Sequence, residues 1–174
     1  MKYSNDFDCI FLRSVISYDH ENGELRWLER DESVIANRSW NAKNVGKICG
    51  LLDHQGYRRI KINGKKYAGH RLSWLHYYGV WPTEAIDHIN LNKSDNRTAN
   101  LREANWSSNC ANTPVRPDNK VGLKGVCLYR TGKFRAQIKK NGKVVALGYF
   151  DRAEDAHHAY VSAAREKHGI FARG

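Results

Sequence analysis

The clearest pattern of polar and apolar positions lies near the C-terminus. Lys133-Phe134-Arg135-Ala136-Gln137-Ile138-Lys139 alternates strictly, which predicts a half-buried strand with Phe134, Ala136 and Ile138 inward. Asn141-Gly142 follows as a two-residue hairpin turn, and Lys143 to Phe150 forms the return strand. Leu123 to Tyr129 supplies a first strand. Asp151 then caps a helix from about Arg152 to Lys167, with Glu154 three residues on. Ala153, Ala156, Tyr160, Ala163 and Ala164 share one face of that helix, and small residues there allow close packing on a sheet. Three antiparallel strands under one helix are expected.

The N-terminal half has a more broken pattern. Phe7, Ile10, Phe11 and Val15 are spaced for a short amphipathic helix. Asn22-Gly23 between Tyr18 and Trp27 predicts one hairpin, and Gly56 to Tyr67, with Asn63-Gly64 inside it, predicts another. His70 to Tyr78 reads as a helix that stops at Gly79 before Trp81-Pro82. Residues 28–45 show no period and are expected to be a loop. The tyrosines and tryptophans from Tyr57 to Trp81 are expected in the core. The fold class is α+β.

Asn112-Thr113-Pro114-Val115-Arg116-Pro117-Asp118-Asn119-Lys120 interrupts both periods, because two prolines remove donors from any helix or ladder. The expected organisation is residues 1–113 as one domain, 114–120 as a linker and 121–174 as a second domain. Charge supports the division. The whole chain of 174 residues carries 29 Lys+Arg against 18 Asp+Glu, +11 in all. Residues 118–174 hold 12 basic and 5 acidic residues, +7 of that total, so the smaller part is the more cationic. A polyanion such as nucleic acid is the expected partner. No run approaches the ~20 apolar residues needed to cross a bilayer, and the first residues do not resemble a secretory signal. Cys9, Cys49, Cys110 and Cys127 form no CxxC pair, which fits a reducing cytoplasm rather than a disulfide framework or zinc knuckle.

One stretch concentrates the groups that phosphodiester chemistry uses: Asp87-His88-Ile89-Asn90-Leu91-Asn92-Lys93-Ser94-Asp95-Asn96-Arg97-Thr98-Ala99-Asn100-Leu101-Arg102, then Asn109. A strand at Ile86–Ile89, an exposed polar loop over Asn90–Asn100, a second strand and a helix over Glu103–Ala111 are expected. Regular strand geometry sends Asp87 and His88 to opposite faces. Singly, each of these residues is more often a turn former or a surface group than a catalyst.

Taken together, the stretch resembles the HNH nucleases, specifically the phage and intron homing-endonuclease branch. That branch's pattern, D-H-I-N-x-N-K-x-D-N-R-x-x-N-L-R with a later Asn, is met from Asp87 to Arg102 and at Asn109, and Gly69-His70-Arg71-Leu72 and Tyr78-Gly79-Val80-Trp81-Pro82 resemble its lead-in. The resemblance covers roughly residues 15–113 and implies a ββα-metal nuclease fold. It implies His88 as general base, Asp87 and Asn109 as ligands of one Mg²⁺ or Mn²⁺, and Asn100 as the residue that pins the loop. Arg97 and Arg102 are candidate DNA contacts. His70 is expected either to support the nuclease core or simply to pack.

Lys124-Gly125-Val126, Gly132 to Ile138, Leu147-Gly148-Tyr149-Phe150-Asp151 and the alanine-rich helix resemble the APETALA/ethylene-response-factor DNA-binding domain over residues 121–169. That resemblance implies that the sheet reads duplex DNA, with Arg130, Lys133, Arg135, Gln137, Lys139 and Lys143 as its contacts. Thr131, Ala146, Cys127 and Tyr129 stand where plant members carry tryptophans and arginines, so the plant target sequence does not transfer. The expectation is a cytoplasmic, site-directed DNA endonuclease, monomeric or homodimeric, in a bacterium or phage-infected cell. A non-catalytic DNA-binding protein with a decayed nuclease core is the main alternative, and an RNA-binding protein a weaker one.

Overall fold

Short hairpins around three small helices make up the N-terminal part of the chain. A computed structural model describes residues 6–105, 109, 112–140 and 142–169. These fall into two units, Met1–Ala104 and Asn105–Gly174. The proline-bearing stretch 114–120 lies in the second unit.

In the first unit, α1 (Cys9–Val15) begins at Asp8, whose carboxylate accepts from Phe11 N at 2.8 Å. Of the expected apolar face, Phe7, Phe11 and Val15 pack against the core around the fully buried Leu12, while Ile10 is 76% exposed. Phe7 packs its ring on Tyr67 and Trp81. Strands β1 (Ile16–Asp19) and β2 (Glu24–Trp27) pair antiparallel through the Asn22-Gly23 turn. A second sheet orders β3 (Leu51–Leu52), β4 (Arg58–Ile62) and β5 (Lys65–Ala68), with Ile60 and Ile62 inward beside Tyr67. Helix α3 (Gly69–Tyr78) closes this core with Leu72 and Leu75. Burying these aliphatic side chains is worth about 2 kcal/mol each.

Two sequence expectations fail here for physical reasons. Residues 28–45 are not simply a loop, since Ile35–Asn44 is a helix, α2. Its support is not an apolar stripe. The Asn41 side chain accepts from Arg30 N at 3.0 Å and donates to Arg30 O at 2.8 Å, while the Arg30 guanidinium lies 3.6 Å over the Trp40 ring. Those tertiary contacts leave no periodic trace. Tyr77 and Tyr78 are each 48% exposed rather than core, in the last turn of α3 where Tyr78 stacks on Trp74.

Strands β6 (Ala85–His88) and β7 (Leu101–Ala104) form a third small sheet, with Asp87 opposite Arg102 and His88 opposite Leu101. The buried Arg71 of α3 donates to the carbonyls of Pro82 and Glu84, and Glu103 Oε1 accepts from Thr83 N and Glu84 N. These bonds fix the chain where it enters β6. Glu103 therefore belongs to β7, not to the expected helix over 103–111. Within that stretch Asn109 is helical, its N–H donating to Asn105 O at 2.9 Å, and residues 106–108, 110 and 111 lie outside the described residues.

The second unit orders its strands β10-β9-β8, with β8 at Val126–Leu128, β9 at Phe134–Lys140 and β10 at Lys143–Phe150. Helix α4 (Ala153–His168) lies on the sheet, burying Ala156, Tyr160 and Ala164 against Val126 and Ala136. The alternation in β9 is as expected, with Ala136 wholly buried and Phe134 packed beside it. The helix start differs, because the cap position is Arg152 without a side-chain cap bond, while Asp151 pairs with Lys133 at 3.1 Å. Gly125 has φ +76, and a β-carbon there would run into the Tyr160 ring, so glycine lets this turn meet the helix. No helix among the described residues is long and apolar enough to cross a membrane.

Candidate active site

Asp87 and His88 end β6 side by side, and both are buried, each 5% exposed. Arg102 covers Asp87, while His70 of α3 and Asn96 of the following loop cover His88. On one side Arg102, directly across the ladder, places Nη2 2.8 Å and Nε 2.9 Å from Asp87 Oδ2. Arg102 was a candidate DNA contact from sequence, and its guanidinium is occupied with the carboxylate.

On the other side His88 Nε2 meets Asn96 Oδ1 at 3.3 Å. The His88 ring packs edge-on against His70, with centroids 5.2 Å apart at 87°, and Tyr57 touches both rings. Burial pushes the His88 imidazole below the ordinary histidine range, while the Asn96 bond and the neighbouring Asp87 carboxylate act in the opposite sense. His70 is pushed down to about 3, chiefly by burial and then by His88, and its Nδ1 is enclosed without a hydrogen-bond partner. Both rings are neutral at pH 7.

The loop between the strands is largely exposed, as expected, and its buried Asn96 and Asn100 also make it a hydrogen-bonded frame. The chain reverses directly after His88, Leu91 taking φ +65 and returning its N–H to His88 O at 3.0 Å. Asn100, in the 3-10 turn Thr98–Asn100, is buried. Its Oδ1 accepts from Asn90 N at 2.9 Å and its Nδ2 donates to Asp95 O at 2.8 Å, so one amide pins both ends of the loop. Asp95 accepts from Arg97 through both oxygens at 2.8 and 2.6 Å and is held down to about 2, mainly by that pair. Arg97 is half exposed beyond it.

Asn109, the fourth residue of the sequence constellation, belongs to the second unit. The sequence-read DNA contacts are also there. Arg135 stands between Cys127 and Tyr149 on neighbouring strands, with Nε enclosed and unpartnered, and Gln137 and Lys139 follow on the same face opposite Ala146 and Val144. Arg130 lies 5.6 Å over Tyr129, and Lys139 and Lys143 are exposed.

Asn96 was read only as part of a motif, and Tyr57 only as a core aromatic. The signal for Asn96 was present in Asp95-Asn96-Arg97, but nothing in a polar loop marks which Asn turns inward. The HNH endonuclease family model matches residues 67–110, which contain His70, Asp87, His88, Asn96, Asn100 and Asn109. The match places an HNH endonuclease domain at residues 67–110, in the middle of the chain. Neither a curated protein nor a solved structure matches the chain.

Proposed function

We propose that the chain is a site-directed DNA endonuclease of the homing type, built as a nuclease domain over 1–113, a linker over 114–120 and an APETALA/ethylene-response-factor-like DNA-binding domain over 121–174. The carrying observation is the pairing of Asp87 and His88 at the buried end of β6, each held by its own partner, inside the matched span.

His88, neutral at pH 7, takes a proton from the attacking water. Asn100 keeps the loop, and with it the end of β6, in one conformation. The resemblance to the HNH nucleases implies the Asp87 carboxylate and the Asn109 amide oxygen as the donors that would hold a divalent ion, and Asn109 belongs to the second unit. Both are hard oxygen donors, a set that suits Mg²⁺ or Mn²⁺ better than zinc. Such an ion supplies Lewis-acid stabilisation of charge on the phosphate and the leaving 3′ oxygen. The face of β9 bearing Arg135, Gln137 and Lys139 places the nuclease on its duplex, Arg130 and Arg135 reading guanine and Lys133, Lys139 and Lys143 meeting phosphates.

Incubating the purified chain with supercoiled plasmid and Mg²⁺ tests this. Nicked or linear product that EDTA abolishes is expected. Duplex binding with no cleavage under Mg²⁺ or Mn²⁺ would favour the non-catalytic DNA-binding reading instead.

A further inference from the structure

Two of the cations around the loop after β6 are committed within the fold, Arg102 to Asp87 and Arg97 to Asp95. Lys93, in the same loop, is not. It is exposed, and among the described residues no carboxylate pairs with it. Its ammonium lies 4.9 Å over the Tyr57 ring, inside the reach of about 6 Å for a cation–π contact. Two separately braced turns meet there. Tyr57 ends the β3–β4 turn, where Asp53 Oδ1 accepts from Gln55 N and Tyr57 N, both at 2.9 Å. Beside Lys93, Asn92 Oδ1 accepts from Ser94 N at 3.1 Å and Ser94 Oγ at 2.7 Å. A β-carbon on Gly56, at φ +87, would sit 3.9 Å from Lys93 Cβ, so the turn closes against the loop. Arg59 also approaches the ring, at 5.7 Å, but Asp53 Oδ2 holds its guanidinium at 2.8 Å. The ring that seats the ammonium also packs on His70 and His88, with centroids 5.5 and 6.0 Å away. An aromatic face takes none of the three ammonium N–H donors in a directed hydrogen bond, so they stay open to an anion.

We propose that Lys93, seated on Tyr57, binds a backbone phosphate of duplex DNA beside the end of β6, and that Tyr57 is its positioning residue. This rests on reading the chain as a DNA endonuclease, but the contact is measurable without cleavage. Duplex binding by the full-length chain is followed by fluorescence anisotropy in EDTA, over about 50 to 200 mM KCl. A phosphate contact carries no sequence information, so Lys93→Gln loses about three- to tenfold in affinity on every duplex tested. Its slope of log K against log salt becomes shallower by about 0.9, the release of one counterion. Lys93→Arg keeps the charge and the wild-type slope. Tyr57→Leu weakens binding about threefold when Lys93 is present and has no effect in the Lys93→Gln background. Tyr57→Phe, which keeps an aromatic face, binds as the wild type does. An unchanged salt slope in Lys93→Gln overturns the proposal. So do equal losses from Tyr57→Leu in the two backgrounds, as a purely structural ring would give. If Tyr57→Leu does not fold, the slope of Lys93→Gln, an exposed position, decides alone. Failure of the nuclease reading shows separately, as a chain with the Lys93-dependent slope that cuts no DNA with Mg²⁺.

Discussion

Arg102 and Asp87 face each other across the β6–β7 ladder, and the guanidinium closes on the carboxylate with two nitrogens within 2.9 Å of Oδ2. Both side chains are largely removed from water, so the pair is a structural commitment as well as a way to aim the carboxylate. Removing one member leaves the other charged and buried. Arg102→Met should cost about 3 kcal/mol of unfolding free energy by urea denaturation. An unchanged midpoint would mean that the ion pair does not hold the sheet.

A second stability effect is confined to the C-terminal unit. Gly125→Ala forces a β-carbon into the Tyr160 ring at φ +76. The expected loss is about 2 kcal/mol or more from backbone strain and displaced packing, read as a lowered thermal midpoint. Gly122→Ala, also at positive φ but with open space around it, is the control and should lose less.

The pH dependence of stability follows from His70. Its folded-state value of about 3 lies below the ordinary 6.5, so between those limits the unfolded chain binds the extra proton. The stability it contributes is complete above pH 6.5 and is lost as pH falls toward 3. The slope contribution approaches about 1.4 kcal/mol per pH unit, and His70→Phe, which keeps a ring without a titrating nitrogen, should flatten the stability curve by that amount. Parallel curves for the two proteins would contradict the buried, neutral His70.

Much of the fold is legible in the sequence where a single period decides. The alternation of β9, the Asn-Gly turn between β1 and β2 and the glycine stop of α3 are all local signals, and all are found. Helix α2 was invisible because Asn41, Arg30 and Trp40 hold it through contacts that have no spacing. The site divides in the same way. Asp87, His88 and Asn100 stand out by motif, but their burial, the Arg102 clamp and the inward turn of Asn96 depend on which residues the loop brings together. A run of polar residues cannot announce that two of its asparagines are interior.

Duplex recognition is tested on the outer face of β9. Arg135→Ala with Lys139→Ala should weaken site-specific binding about tenfold or more and flatten its salt dependence, since one base contact and one phosphate contact are lost. Equal affinity and equal salt slope in a gel shift would remove this sheet from the interface.

The most direct test of the account is the His88→Ala variant on plasmid or mapped target DNA with Mg²⁺. Cleavage is expected to fall by at least about 100-fold while duplex affinity and the thermal midpoint of the C-terminal unit stay the same. Cleavage at the wild-type rate by His88→Ala would contradict it.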